Sequence, residues 1–157
     1  MTQNSLAPLF RRDLTRLGQQ IDALPNDDAL WQTLPGVTNA AGNLVLHIEG
    51  NLREYVGRQL GKLPYRRNRE LEFSLQGMSR SELGARIGEL RLSIPSVIEG
   101  ITLEQMEMEY PEVVLGVAVS TQQFLIHLYG HLNWHLGQVD YLRRIVTGDG
   151  AIKLAGL

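Results

Sequence analysis

No cysteine occurs among the 157 residues. That absence removes disulfides, thiolate metal sites, iron–sulfur clusters and cysteine nucleophiles together, so any sulfur chemistry needs a thiol brought from outside. It also suits a reducing compartment, and a cytoplasmic location is the expectation. An excess of one charge is lacking too: 15 Lys and Arg stand against 17 Asp and Glu, a formal net charge of −2. Nucleic-acid binders are normally markedly basic, so no nucleic-acid partner is expected. No stretch reaches the ~20 apolar residues of a membrane span. The first 24 residues carry Arg11, Arg12, Asp13 and Arg16 where a secretory signal needs an unbroken apolar run. A membrane partner is therefore not expected either.

The familiar catalytic signatures are also missing. There is no Walker loop, no G-x-G-x-x-G and no G-x-S-x-G. The segment His131-Leu132-Asn133-Trp134-His135 has Leu where a zinc peptidase carries its Glu base. The Glu-x-x-His repeats of carboxylate-bridged di-metal bundles do not occur.

What the chain does contain is helical periodicity over a length that suits one domain, 1–157, able to bury a full core. Leu6, Phe10, Leu14, Leu17, Ile21 and Leu24 recur at steps of three and four, one helical face. Pro25-Asn26-Asp27-Asp28 breaks it, and a loop containing Trp31 runs to Pro35-Gly36. A second helix is expected from an N-cap at Thr38 to about Leu60, weakened by Gly42, Gly50 and Gly57 and so dependent on tertiary packing. Lys62 to Gly77 reads as a loop whose Arg66-Arg67-Asn68-Arg69 run is a solvated patch or the lip of an anion site. Ser79 and Glu82 announce a third helix, carried by Leu83, Ile87, Leu90, Ile94 and Ile98, with a kink or early end at Pro95. Alternation at Met106, Met108 and Tyr110 suggests an extended excursion or short hairpin between Thr102 and Val119. Ser120 and Gln123 open the last helix, which Phe124, Leu128, Leu132, Leu136, Val139, Leu142 and Ile145 carry to Thr147-Gly148. The fold class is all-α: a four-helix bundle with a long irregular connection before its last helix.

Three of the four histidines, His127, His131 and His135, fall at four-residue steps on that last helix, advancing ~40° per step along one strip. Neighbours at i and i+4 lie about 5–6 Å apart at Cβ, so two such imidazoles can converge on one ion. His47, on the second helix, is the only other histidine available to complete a three-nitrogen face. Neutral imidazoles suit divalent zinc, nickel, copper or iron, whereas magnesium and calcium prefer oxygen. Packed, hydrogen-bonded core histidines are the competing reading. With neither a Glu base nor a Cys in the pattern, a metal would supply most of the activation, lowering the pKa of a bound water or thiol.

His131-x-x-x-His135-x-Gly137-Gln138, with His47-Ile48-Glu49-Gly50-Asn51-Leu52-Arg53 on the second helix, resembles the two signatures of the DinB/YfiT-like superfamily. The resemblance implies an antiparallel bundle with up-down-down-up connection and a divalent transition metal, zinc or nickel foremost, on His47, His131 and His135. It places His127 outside the triad, as a residue near the metal or simply packed. Gln138 would orient His135 or lie on the helix surface, and Asn51 would support the site or, more simply, pack. The resemblance further implies a homodimer and an enzyme joining a low-molecular-weight thiol, such as bacillithiol, to an electrophile, or a related metal-assisted reaction such as hydrolysis. The alternative is a non-catalytic ligand- or partner-binding stress-response bundle. Leu6, Leu9 and Phe10, which could widen a dimer contact, read as core, and so do Met106 and Met108, which could line a pocket mouth.

Overall fold

The computed structural model describes residues 2–156, with side chains from Ser5 onward. Its four rods are α1 (Thr2–Asp22), α3 (Ala41–Leu52, extended by a π-helical stretch Arg53–Arg58), α5 (Arg80–Glu99) and α7 (Thr121–Thr147). Short helices α2 (Asp28–Trp31), α4 (Arg69–Ser74) and α6 (Leu103–Glu107) lie in the connections. No strand forms among the described residues, only two isolated bridges, Glu109 with Ser120 and Val114 with Val117. No described helix is long and apolar enough to cross a membrane.

The expected core faces are the observed ones except at Ile145, which is exposed. Leu6 to Leu24 of the first stripe, Leu83 to Ile98 of the third and Phe124 to Leu142 of the last all bury into one cluster. Each fully buried Leu, Ile or Phe contributes on the order of 1.5–3 kcal/mol, which holds rods whose own propensity is modest.

Side-chain pairs give the direction of each rod. Arg11 pairs with Glu99 and Arg80 reaches the Leu24 carbonyl, so α1 and α5 are antiparallel. Asp13 meets Tyr129 while Gln20 meets Asp140, so α1 and α7 are parallel. His47 faces His131 and Tyr55 faces Phe124, so α3 and α7 are antiparallel. Glu49 meets Arg86 and Arg53 meets Glu89, which makes α3 and α5 parallel. This is the up-down-down-up order.

Several local expectations are corrected. The second rod begins at Ala41 rather than at Thr38, with no side chain capping it at Ala40. Trp31 is in α2, and its indole donates to the Met78 carbonyl at 3.0 Å. Pro95 does not end α5, which runs to Glu99 with Ile94 and Ile98 buried on either side. The loop 62–77 contains α4, capped by Asn68 Oδ1 accepting from the Leu71 amide. In the last connection a capping box at Thr102 and Gln105 starts α6 before any extended chain appears. The buried residues there are Met106 and Tyr110, four apart, while Met108 is exposed. The Tyr110 hydroxyl donates to the Tyr55 carbonyl at 2.6 Å, within the π-helical stretch where the ordinary i→i−4 ladder is interrupted.

A buried carboxylate ties α1 to α7. Asp13 accepts from Arg12 Nε at 2.7 Å, Arg16 Nη1 at 3.1 Å and the Tyr129 hydroxyl at 2.7 Å. Burial alone would raise its pKa, but the hydrogen bonds from Arg12 and Tyr129 outweigh burial and hold it below its ordinary value. A depressed carboxylate pKa stabilises the fold at neutral pH, and that contribution disappears as pH falls through the folded-state value. Asp13→Ala should lower stability by about 3 kcal/mol in urea unfolding at pH 7, because it strands guanidinium and hydroxyl donors. The gap between variant and native protein should narrow below pH 4.

Candidate metal centre

Antiparallel α3 and α7 bring three imidazoles to one point. His47 Nε2 lies 3.1 Å from His131 Nε2, and His135 Nε2 lies 3.2 Å from the same atom. One ligand atom from each of the three fits within a 4.8 Å cluster. Nitrogens held at ~2.0–2.1 Å around one ion stand roughly 2.9–3.4 Å apart, so the spacing fits a metal. His47 is buried and the other two are half-buried.

The protons sit on the outer nitrogens. Glu72 Oε2 lies 2.9 Å from His47 Nδ1, and an ionised carboxylate only accepts, so that nitrogen donates and Nε2 is left bare. His135 Nδ1 likewise donates to Gln138 Oε1 at 2.7 Å. Two lone pairs therefore converge on His131 Nε2, whose single proton could satisfy only one of them. A divalent cation would satisfy all three nitrogens. Burial pushes His131 down to about 4, helped by the neighbouring imidazoles, and pushes His135 below its ordinary value. Both are neutral at pH 7, the form that binds metal.

The sequence reading assembled the triad and Gln138 but missed Glu72 and Arg67. Arg67, read there within a run that is either a solvated patch or the lip of an anion site, turns inward: its Nε donates to Glu72 Oε1 at 2.7 Å and its Nη2 to Oε2 at 3.0 Å. Burial alone would raise the Glu72 pKa, but the bonds from His47 and Arg67 hold it below the usual carboxylate range. Asn43 fastens α4 to α3, donating to the carbonyls of Glu72 and Leu75 at 3.1 and 2.9 Å. Gly50 makes the approach possible, since a Cβ there would collide with the Glu72 carboxylate. A glycine within a helix, three residues after a candidate ligand, was the available signal for a close neighbour.

A cavity of about 390 Å³ opens beside His47 and His131, walled by Asn51, Tyr55, Arg67, Arg69, His127 and the segment 112–115. His127 is exposed and stacks on Phe124, outside the triad. Asn51 is buried, and its Oδ1 has no hydrogen-bond partner.

An all-helical bundle with a three-histidine centre between antiparallel rods is thus the class that fold and site define. No protein-family model and no curated protein matches the sequence. Solved structures do match. A DinB-like protein from Bacillus cereus ATCC 10987 superposes with a TM-score of 0.73 at 17% identity, covering 100% of this chain and 99% of its own. A conserved protein from Enterococcus faecalis gives 0.74 at 14% identity, covering 93% and 97%. The chain has the DinB-like fold, and the resemblance read from its histidine motifs holds at that level.

Glu72→Gln and Gly50→Ala should each weaken zinc binding about 10–100-fold, the usual effect of losing an outer partner of a ligating imidazole. Competitive chelator titration measures it. In the metal-free protein, the unfolded chain takes up protons at His131 and His135 first as pH falls from about 6.5 towards 4. Stability should decline over that window in urea titrations, and bound zinc should restore it at its upper end.

Proposed function

We propose that the protein is a metal-dependent enzyme that joins a low-molecular-weight thiol to an electrophile at the three-histidine centre. The observation that carries this reading is the convergence of bare imidazole nitrogens beside a cavity large enough for a small substrate. A divalent metal, zinc or nickel, held by His47, His131 and His135 would supply Lewis acidity that lowers the pKa of a sulfur or oxygen nucleophile.

The protein's own residues favour a thiol over water. Both carboxylates near the triad are engaged: Glu72 by His47 and Arg67, and Glu112 by Gln59 and Arg58. Among the described residues at the cavity, no carboxylate is free to act as a general base for water. A thiol, with an ordinary pKa near ~8.5, needs far less help to ionise. Asn51 stands one turn beyond His47 in the cavity wall, and its unpaired carboxamide would hold a polar group of the substrate. Arg69 gives the wall a cation suited to a thiolate. The exposed side chains of Val113 and Leu115 give the mouth an apolar lip for the electrophile.

Protein reconstituted with zinc or nickel should hold about one ion per chain by elemental analysis, and His131→Ala should release it. The loaded protein should conjugate monochlorobimane with at least one thiol of a panel that includes bacillithiol. Asn51→Ala should then raise KM several-fold while metal content stays unchanged. Metal binding without turnover across the panel would favour a ligand-binding bundle, and no metal binding would remove the proposal.

A further inference from the structure

The rod that carries His47 loses its regular ladder about two turns further on. The Gln59 amide donates to the Glu54 carbonyl, five residues back, and the Leu60 amide to the Val56 carbonyl. The Tyr55 carbonyl between them is passed over, and the buried Tyr110 hydroxyl takes it at 2.6 Å. π turns are rare within helices, and those that occur are frequently at functional sites.

This turn aims one side chain. At ~100° per residue Tyr55 would stand ~80° around the helix from His47, eight residues earlier. A π turn advances by less per residue, so it closes part of that angle. Tyr55 lies in the cavity wall with His47, Asn51 and His131. Its ring makes a T-shaped contact with Phe124 at 5.3 Å, and the Arg67 guanidinium lies over it, 5.6 Å from its centre. The same Arg67 grips Glu72, the partner of His47, which ties Tyr55 to the network behind the triad. The Tyr55 hydroxyl is accessible and has no hydrogen-bond partner among the described residues, whereas those of Tyr110 and Tyr129 are both engaged.

We propose that Tyr55 is the proton donor of the site and that the electrophile is an epoxide; this rests on the thiol-conjugating reading above. The thiol gives its proton to solvent and its sulfur bonds to an epoxide carbon. The C–O bond breaks and the electron pair leaves with the oxygen. The Tyr55 hydroxyl passes its proton to that oxygen, and the phenolate recovers one from solvent. The neighbouring wall groups are unsuited to this: Asn51 has no acidic proton, Arg67 and Arg69 keep theirs, and Glu112 is engaged by Gln59 and Arg58. His127, exposed and stacked on Phe124, is the competing donor. Val113 and Leu115 supply apolar contact for the body of an epoxide, whose one polar atom is the oxygen that needs the proton.

Styrene oxide needs a proton on opening, whereas monochlorobimane loses chloride and needs none. With zinc-loaded protein, a thiol of the panel that supports monochlorobimane conjugation should also open styrene oxide. Tyr55→Phe should lower the styrene oxide kcat about 100-fold relative to that for monochlorobimane. Tyr110→Phe should move this ratio in the same direction, and His127→Gln should not move it. Calorimetry reads the contact without turnover: native protein should bind the β-hydroxy thioether product several-fold more tightly than the same thioether lacking the hydroxyl, and Tyr55→Phe should bind the two alike. Conjugation of monochlorobimane but not of styrene oxide would overturn the proposal and leave the thiol-conjugating reading standing. Equal losses on both electrophiles in Tyr55→Phe would overturn it too, as would a selective loss in His127→Gln. Conjugation of neither electrophile removes both.

Discussion

Two parallel rods cannot be joined by a tight turn. Because α3 and α5 run in the same direction, the chain leaving α3 must travel back along the bundle before α5 can begin. That return stretch carries α4, and α4 carries Glu72 to the outer nitrogen of His47. Arg67, on the same stretch, holds Glu72 from its far side. The topology therefore supplies the outer half of the site, while the antiparallel α3–α7 contact supplies the inner half.

The two halves depend on each other electrically. Three imidazoles packed this closely could not all be protonated, since each added charge is paid against its neighbours in a poorly solvated site. Holding His47 and His135 by their Nδ1 protons fixes ring orientation and directs both lone pairs inward. The ionised Glu72 adds a negative charge just behind the site, against the outer nitrogen of His47. Arg67 keeps that carboxylate ionised despite its burial. Ligand geometry, protonation state and the fold of a connecting loop are one arrangement.

Much of this was legible in the sequence, and the boundary is physical. Long apolar stripes such as Leu6 to Leu24 fix their own helix because period and burial coincide. The histidine spacing on α7 likewise announces its geometry, since i and i+4 are neighbours whatever surrounds them. Thr38 failed as a cap because α3 is buried from its first residue and is held by packing, with Trp31 lying where a Cβ on Gly42 would be, 2.7 Å from its ring. Met106, Met108 and Tyr110 looked alternating, yet they span two structures: Met106 lies in α6, while Met108 and Tyr110 lie past its end, where the Tyr110 amide donates to the Val119 carbonyl. Glu72 was invisible because its role is set by a contact 25 residues away in sequence, which no local pattern encodes.

Helix α3 shows most directly how structure and function divide. All twelve of its residues are buried, including Asn43, His47, Glu49 and Asn51. A polar group so placed is costly unless it finds a partner. Asn43 binds two carbonyls of α4, Glu49 is held by Arg53 and Arg86, and His47 is held by Glu72 and faces His131. Asn51 is the exception, with an unpaired oxygen, and it stands in the cavity wall beside His47. A helix that satisfies each of its other buried polar side chains has no structural use for one left open. That oxygen belongs to a residue of the cavity wall, within reach of a ligand's donor group, so Asn51 serves the site alongside the histidines.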